Sequence, residues 1–123
     1  MNKLIAFCFT ISTLVVTAIS AQASEVRLLM FEAAGCTYCE QWDQEIGVFY
    51  SGTEEGKWAP LRRVDDDVAW PEELLHIKGV VYTPTFVVTK DNVEVGRITG
   101  YPGEDYFWGY LTNMLKQTGF EPN

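Results

Sequence analysis

The sequence predicts an α/β domain of order β-α-β-α-β-β-α, with a central mixed sheet flanked by helices. Three observations predict it. A near-continuous apolar run of strand length, residues 26–31, leads through Ala33-Ala34-Gly35 into a segment of helical periodicity. Two strand-like stretches, residues 85–89 and 93–99, are joined by the turn residues Asp91-Asn92. A stretch with helical spacing then closes the chain. Alternating β and α at the start implies a parallel pair with a right-handed crossover, to which the hairpin adds an antiparallel edge.

The elements follow in order. Lys3, an apolar run from Leu4 to about Ile19 and the small-x-small site Ala21-Gln22-Ala23 have the layout of a secretory signal peptide. The run carries Thr10, Ser12, Thr13 and Thr17 and is marginal against the roughly 20 apolar residues of a membrane span. Residues 1–23 are therefore expected to be a cleaved leader and residues 24–123 one exported domain. The first strand covers residues 26–31. A helix is expected from Cys36 to about Phe49, with Cys39, Trp42, Ile46 and Phe49 on one face and Gly47 weakening it. Residues 51–60, with Gly52, Gly56 and Pro60, read as a loop. Residues 61–65 form a second strand, and Asp65-Asp66-Asp67 a solvated loop at its end. Pro71-Glu72-Glu73 opens a short helix through Ile77, which Gly79 ends. After the hairpin, Gly100-Tyr101-Pro102-Gly103 is a tight loop. The last helix starts at Glu104-Asp105 and presents Phe107, Tyr110, Leu111, Met114 and Leu115.

Seventeen acids against nine Lys and Arg give a net charge of −8, which repels phosphate backbones and makes nucleic acid a poor partner. Of three cysteines, Cys8 falls in the leader, leaving Cys36 and Cys39. A bridge across two residues closes a very small loop and constrains little of the unfolded chain, so the pair points to chemistry rather than to stapling. Cys36 falls where a strand ends and a helix begins. Unpaired N–H groups and the helix dipole favour an anion there, and the thiolate is the reactive form. Cys36 is thus the expected nucleophile on a partner disulfide. Cys39, one helical turn on, resolves the mixed disulfide. Zinc would need two more ligands, and only His76 is left to help. Covalent haem attachment wants His after the second Cys, where Glu40 stands. No bound cofactor is expected beyond the redox-active pair. A static disulfide or a copper(I) site in a binding module, and a disulfide oxidase or isomerase, stay open as alternatives. Arg62 and Arg63 suit a sheet edge or an ion pair. Trp42 is expected beneath the helix that carries the cysteines, and His76 at the surface or half-buried rather than catalytic.

The strand–Cys36-Thr37-Tyr38-Cys39–helix unit, followed by Thr83-Pro84-Thr85-Phe86 before a strand, resembles the thioredoxin superfamily over essentially all of residues 24–123. The resemblance implies the thioredoxin-like fold, a cis proline at Pro84 facing the cysteines, and a groove in which Thr83, Pro84, Thr37 and Tyr38 meet the incoming polypeptide by a short β-addition. Residues 30–39, Ala59-Pro60-Leu61-Arg62-Arg63-Val64 and residues 96–103 are similar to the small periplasmic thioredoxin-like proteins of bacterial sulfur-oxidation systems. That similarity implies a reductant of periplasmic protein disulfides or thiols, fed by a membrane thiol-electron donor. The chain departs from thioredoxin proper in three places. Thr37-Tyr38 replaces Gly-Pro, Gly35 replaces the preceding Trp, and Met30 stands where thioredoxin buries an acid. Glu32 is then the candidate proton relay for Cys39. With Glu32, Glu40 and Asp43 near the thiolate, a reducing role is favoured over an oxidising one.

Overall fold

The computed structural model describes residues 22–123, with Ala18 and Ser20 before them, so the expected leader lies largely outside the described residues. Strand β1 (Val26–Glu32) is flanked by β2 (Leu61–Asp65), which is parallel to it, and β3 (Thr85–Lys90), which is antiparallel, while β4 (Val93–Thr99) closes the far edge in the order β2-β1-β3-β4. This is the expected α/β, thioredoxin-like fold with a mixed sheet flanked by helices.

The near-continuous apolar run of β1, interrupted by Arg27, follows from burial of both its faces. Leu28 and Met30 join Phe86, Val88, Trp42, Phe107 and Leu111 in the larger core, on the side of the helices. Leu29 and Phe31 point the other way, with Val64, Leu74, Ile77 and Val87, into a smaller core partly covered by Trp70. Side chains alternate along a strand, so Glu32, the last residue of β1, continues the Leu28–Met30 face and emerges on the helical side. Each fully buried large apolar side chain contributes roughly 1.5–3 kcal/mol. Trp42, wholly buried, lies with its ring centroid 5.1 Å from Phe86, 5.7 Å from Phe107 and 6.1 Å from Tyr50.

Several helical expectations are corrected. The segment after the cysteines is not one α-helix: α1 (Thr37–Trp42) passes into a π turn (Asp43–Gly47) and then α2 (Val48–Tyr50). A π turn inserts an extra residue per turn, and Tyr50 rather than Phe49 reaches the core; Phe49 is 66% exposed. Residues 51–60 are not all loop, since α3 (Glu54–Trp58) lies within them, capped by Thr53 Oγ1, which accepts the Gly56 N–H at 3.0 Å. The helix expected from Pro71 shrinks to a 3₁₀ turn (Glu72–Leu74). Helix α4 (Glu104–Lys116) buries Phe107, Leu111, Met114 and Leu115, whereas Tyr110 is half exposed on its outer side. Arg62 and Arg63 lie on the edge strand, and both are ion-paired, to Glu73 and to Glu32 and Asp43 respectively. Among the described residues, no helix is long and apolar enough to cross a membrane.

Candidate active site

Cys36 is the N-cap of α1, in extended conformation at φ −77° and ψ 104°. Its Sγ accepts the Cys39 N–H at 3.2 Å, and its carbonyl accepts the Glu40 N–H at 3.1 Å. The sulfur is thereby aimed at the unpaired N–H groups of a helix start, where negative charge is stabilised. Cys36 and Cys39 form a disulfide, with Cα atoms 5.2 Å apart. Their environments differ. Cys36 is half-buried and Cys39 is 4% exposed, so an incoming group meets Cys36 first.

A cleft of about 320 Å³ opens beside the disulfide, lined by Glu32, Gly35, Cys36, Cys39, Asp43 and Arg63 among others. It brings together the two cysteines and Glu32, the expected relay. It also holds two residues that the sequence did not single out as partners. Arg63 stands opposite Met30 in the β1–β2 register, two residues from Glu32 on the same face, and its Nη1 donates to Glu32 Oε2 at 2.7 Å. Nη2 of Arg63 donates to Asp43 Oδ1 at 2.5 Å. The guanidinium lies 5.9 Å from the Trp42 ring centroid and reaches Met30 Sδ at 3.8 Å. Its pKa is pushed above the ordinary value, chiefly by the Asp43 hydrogen bond, against the effect of burial. Where thioredoxin buries an acid, this chain buries Met30 and assembles two carboxylates around one arginine at the cleft instead. The pairs are 28–42% exposed at their side chains, so each contributes about 1 kcal/mol or less to stability.

The proline segment lies at the same end of the sheet. Phe31 of β1 pairs with Thr85 of β3, which sets Pro84 beside the strand end that leads to Cys36. The Thr83–Pro84 peptide bond is cis, with Pro84 buried and Thr83 half-buried. Thr85 Oγ1 donates to the Tyr82 carbonyl at 2.6 Å, and the Gly100 N–H donates to the Pro84 carbonyl at 2.7 Å. Tyr38 between the cysteines and Val81 and Tyr82 before the proline are 60%, 74% and 68% exposed. Thr37 is exposed beside Tyr38. His76 is exposed and does not line the cleft. The acidic loop makes both local and long-range hydrogen bonds: Asp66 accepts the Trp70 indole N–H at 3.1 Å, and Asp67 accepts the Ala34 N–H at 3.1 Å just before the cysteines.

Comparison with known proteins agrees with this geometry. A family described as thioredoxin-like domain matches residues 15–115. The periplasmic thioredoxin SoxS from Paracoccus pantotrophus, in its reduced form, is 46% identical, with a TM-score of 0.71 over 76% of this chain and 99% of that one. Fasciola hepatica thioredoxin is 26% identical, with a TM-score of 0.56 over 73% of this chain and 81% of that one. Thioredoxin f2 of Chlamydomonas reinhardtii, at 22% identity and a TM-score of 0.55 over 76% of this chain and 82% of that one, shares the fold. No curated protein sequence matches. The chain belongs to the thioredoxin-like family and carries at Cys36–Cys39 the redox-type disulfide of a thiol–disulfide oxidoreductase.

Proposed function

We propose that the protein is a periplasmic reductant that opens disulfides of partner proteins by dithiol exchange, needing no bound cofactor. The observation that carries the reading is the asymmetry of the pair: a half-exposed Cys36 whose sulfur caps a helix, and a buried Cys39 behind it. The Cys36 thiolate attacks a partner disulfide, forming a mixed disulfide and releasing one partner thiol. Cys39 then loses its proton and attacks Cys36 Sγ. The Cys36–partner bond breaks, and its electron pair leaves on the second partner sulfur, which takes up a proton. Two electrons pass from the dithiol to the partner. Glu32, in the same cleft as Cys39, is the relay for the Cys39 proton. Thr83, Pro84, Thr37 and Tyr38 form the groove that receives the partner's extended chain. A membrane thiol-electron donor returns Cys36–Cys39 to the dithiol. Similarity to periplasmic SoxS supports the compartment and a role beside sulfur oxidation, with thiol-bearing proteins of that system as partners.

The test is trapping in periplasmic extract. Cys39→Ser should accumulate mixed disulfides on Cys36, and Cys36→Ser should accumulate none. Equal trapping by both variants, or by neither, removes Cys36 as the nucleophile.

A further inference from the structure

The π turn after the cysteines carries two acids that leave the helix in different directions. Asp43 goes to Arg63, on β2. Glu45 goes to Tyr101, whose phenolic hydroxyl donates to Glu45 Oε2. Tyr101 is 9% exposed, on the loop between β4 and α4, and its ring lies edge-on to Phe107. Burial and the facing carboxylate push its hydroxyl pKa up, and the same bond, with a second from Gln41, holds the Glu45 carboxyl below its usual range.

The loop position matters because of the next residue. Gly100, bonded to Tyr101, donates its N–H to the Pro84 carbonyl. A continuous path therefore runs from the helix of the cysteines through Glu45, Tyr101 and Gly100 to Pro84. Among the described residues, the Tyr101–Glu45 contact is the one hydrogen bond between residues 36–50 and residues 82–103. The Cys36 helix and the Pro84 segment, the two walls of the groove proposed above, belong to these two segments.

We infer that Tyr101 is a positioning residue for partner binding: its hydroxyl, held by Glu45, fixes the Pro84 wall of the groove relative to the Cys36 helix. The inference rests on the exchange reading above. A polypeptide lying across both walls needs their spacing set in advance, since ordering a loose wall on binding lowers affinity. A small disulfide that reaches Cys36 without lying along Pro84 does not need it.

The experiment compares insulin with hydroxyethyl disulfide, under dithiothreitol, for the wild type and Tyr101→Phe, which keeps the buried ring. KM for insulin should rise about fivefold, the loss expected for one hydrogen bond, with kcat nearly unchanged. Reduction of hydroxyethyl disulfide should stay at the wild-type rate. Glu45→Ala should reproduce Tyr101→Phe, and the double variant should be no worse than either single one. Glu45→Gln, whose amide oxygen still accepts the hydroxyl, should restore most of the insulin affinity. An unchanged KM in Tyr101→Phe overturns the inference. So does a parallel loss on both substrates, which marks a general structural role. A wild-type protein that reduces neither substrate overturns the exchange reading itself.

Discussion

Reducing the Cys36–Cys39 disulfide should make the folded protein less stable, and the sign of that change reports the direction in which electrons run. Unfolding and reduction form a closed cycle. If the oxidised protein is the more stable, the native fold holds the disulfide against reduction, as a reductant requires; if the reduced protein is the more stable, the fold drives oxidation of others. Two contributions compete. The disulfide spans a sequence separation of 3, and closing so small a loop in the unfolded chain favours the oxidised protein by about 2 kcal/mol. Cys36 Sγ already accepts the Cys39 N–H in the disulfide; a thiolate in the same place would make that bond a charge-assisted one. A hydrogen bond to a charged group contributes about 1.5–3 kcal/mol, in proportion to how far the thiol is ionised. The cleft limits that ionisation. Glu32, Glu40, Asp43 and Asp65 line it, and its one cation, Arg63, is already bound to two of them. Loop closure should therefore win by about 1 kcal/mol, or roughly 20 mV of potential for a two-electron couple. Guanidinium unfolding with and without dithiothreitol, followed by tryptophan fluorescence, measures it from the shift in midpoint at constant slope. A reduced form more stable by about 1 kcal/mol or more would refute the reasoning and identify an oxidant.

Other expectations follow from single contacts. Gly56 lies within α3, where Ala is ordinarily better by about 1 kcal/mol, yet its added Cβ would lie 1.8 Å from the Tyr50 carbonyl oxygen. Gly56→Ala should therefore destabilise by about 3 kcal/mol or more, and a raised melting temperature would show that the approach is not close. Tyr50→Phe leaves the buried Ala59 carbonyl without the hydroxyl that now donates to it at 2.7 Å; a loss of about 1–3 kcal/mol in chemical denaturation is expected, and no loss would mean that the carbonyl finds another donor. Glu32→Gln should move the rising limb of the pH profile of insulin reduction to higher pH, and an identical profile removes Glu32 from proton transfer.

The fold was legible where a local pattern reports tertiary burial. The near-continuous apolar run of β1 could be read because both faces of that strand are covered, Leu28 and Met30 on one side and Leu29 and Phe31 on the other. The cysteine pair was legible because its spacing and its place between strand and helix are themselves the chemistry. Helix α3 was hidden by Gly56, which is there for the close approach of Tyr50 and not to break a helix. Thr53, the cap of that helix, was the signal that could have shown it. The carboxylate pair on Arg63 had no local signal at all, since its contacts span 31 and 20 residues.

Gly47 shows how one residue can mislead about structure and still mark the site. In the sequence it argues against a helix. In the structure it ends the π turn, where a Cβ would lie 2.8 Å from Asp43 Oδ1 and 3.0 Å from the Trp42 ring. Asp43 is committed to Arg63, and Trp42 is fixed between Phe86 and Phe107, so neither can yield cheaply. Glycine is what lets the chain pass that point, and the wider turn leaves Val48 and Phe49 at the surface while burying Tyr50. Residues two apart on a helical turn do not share a face, so Asp43 and Glu45 separate toward the cleft beside Cys39 and toward the loop that holds Pro84. The motif supplies the sulfur chemistry, and this turn ties its helix to both flanks of the site.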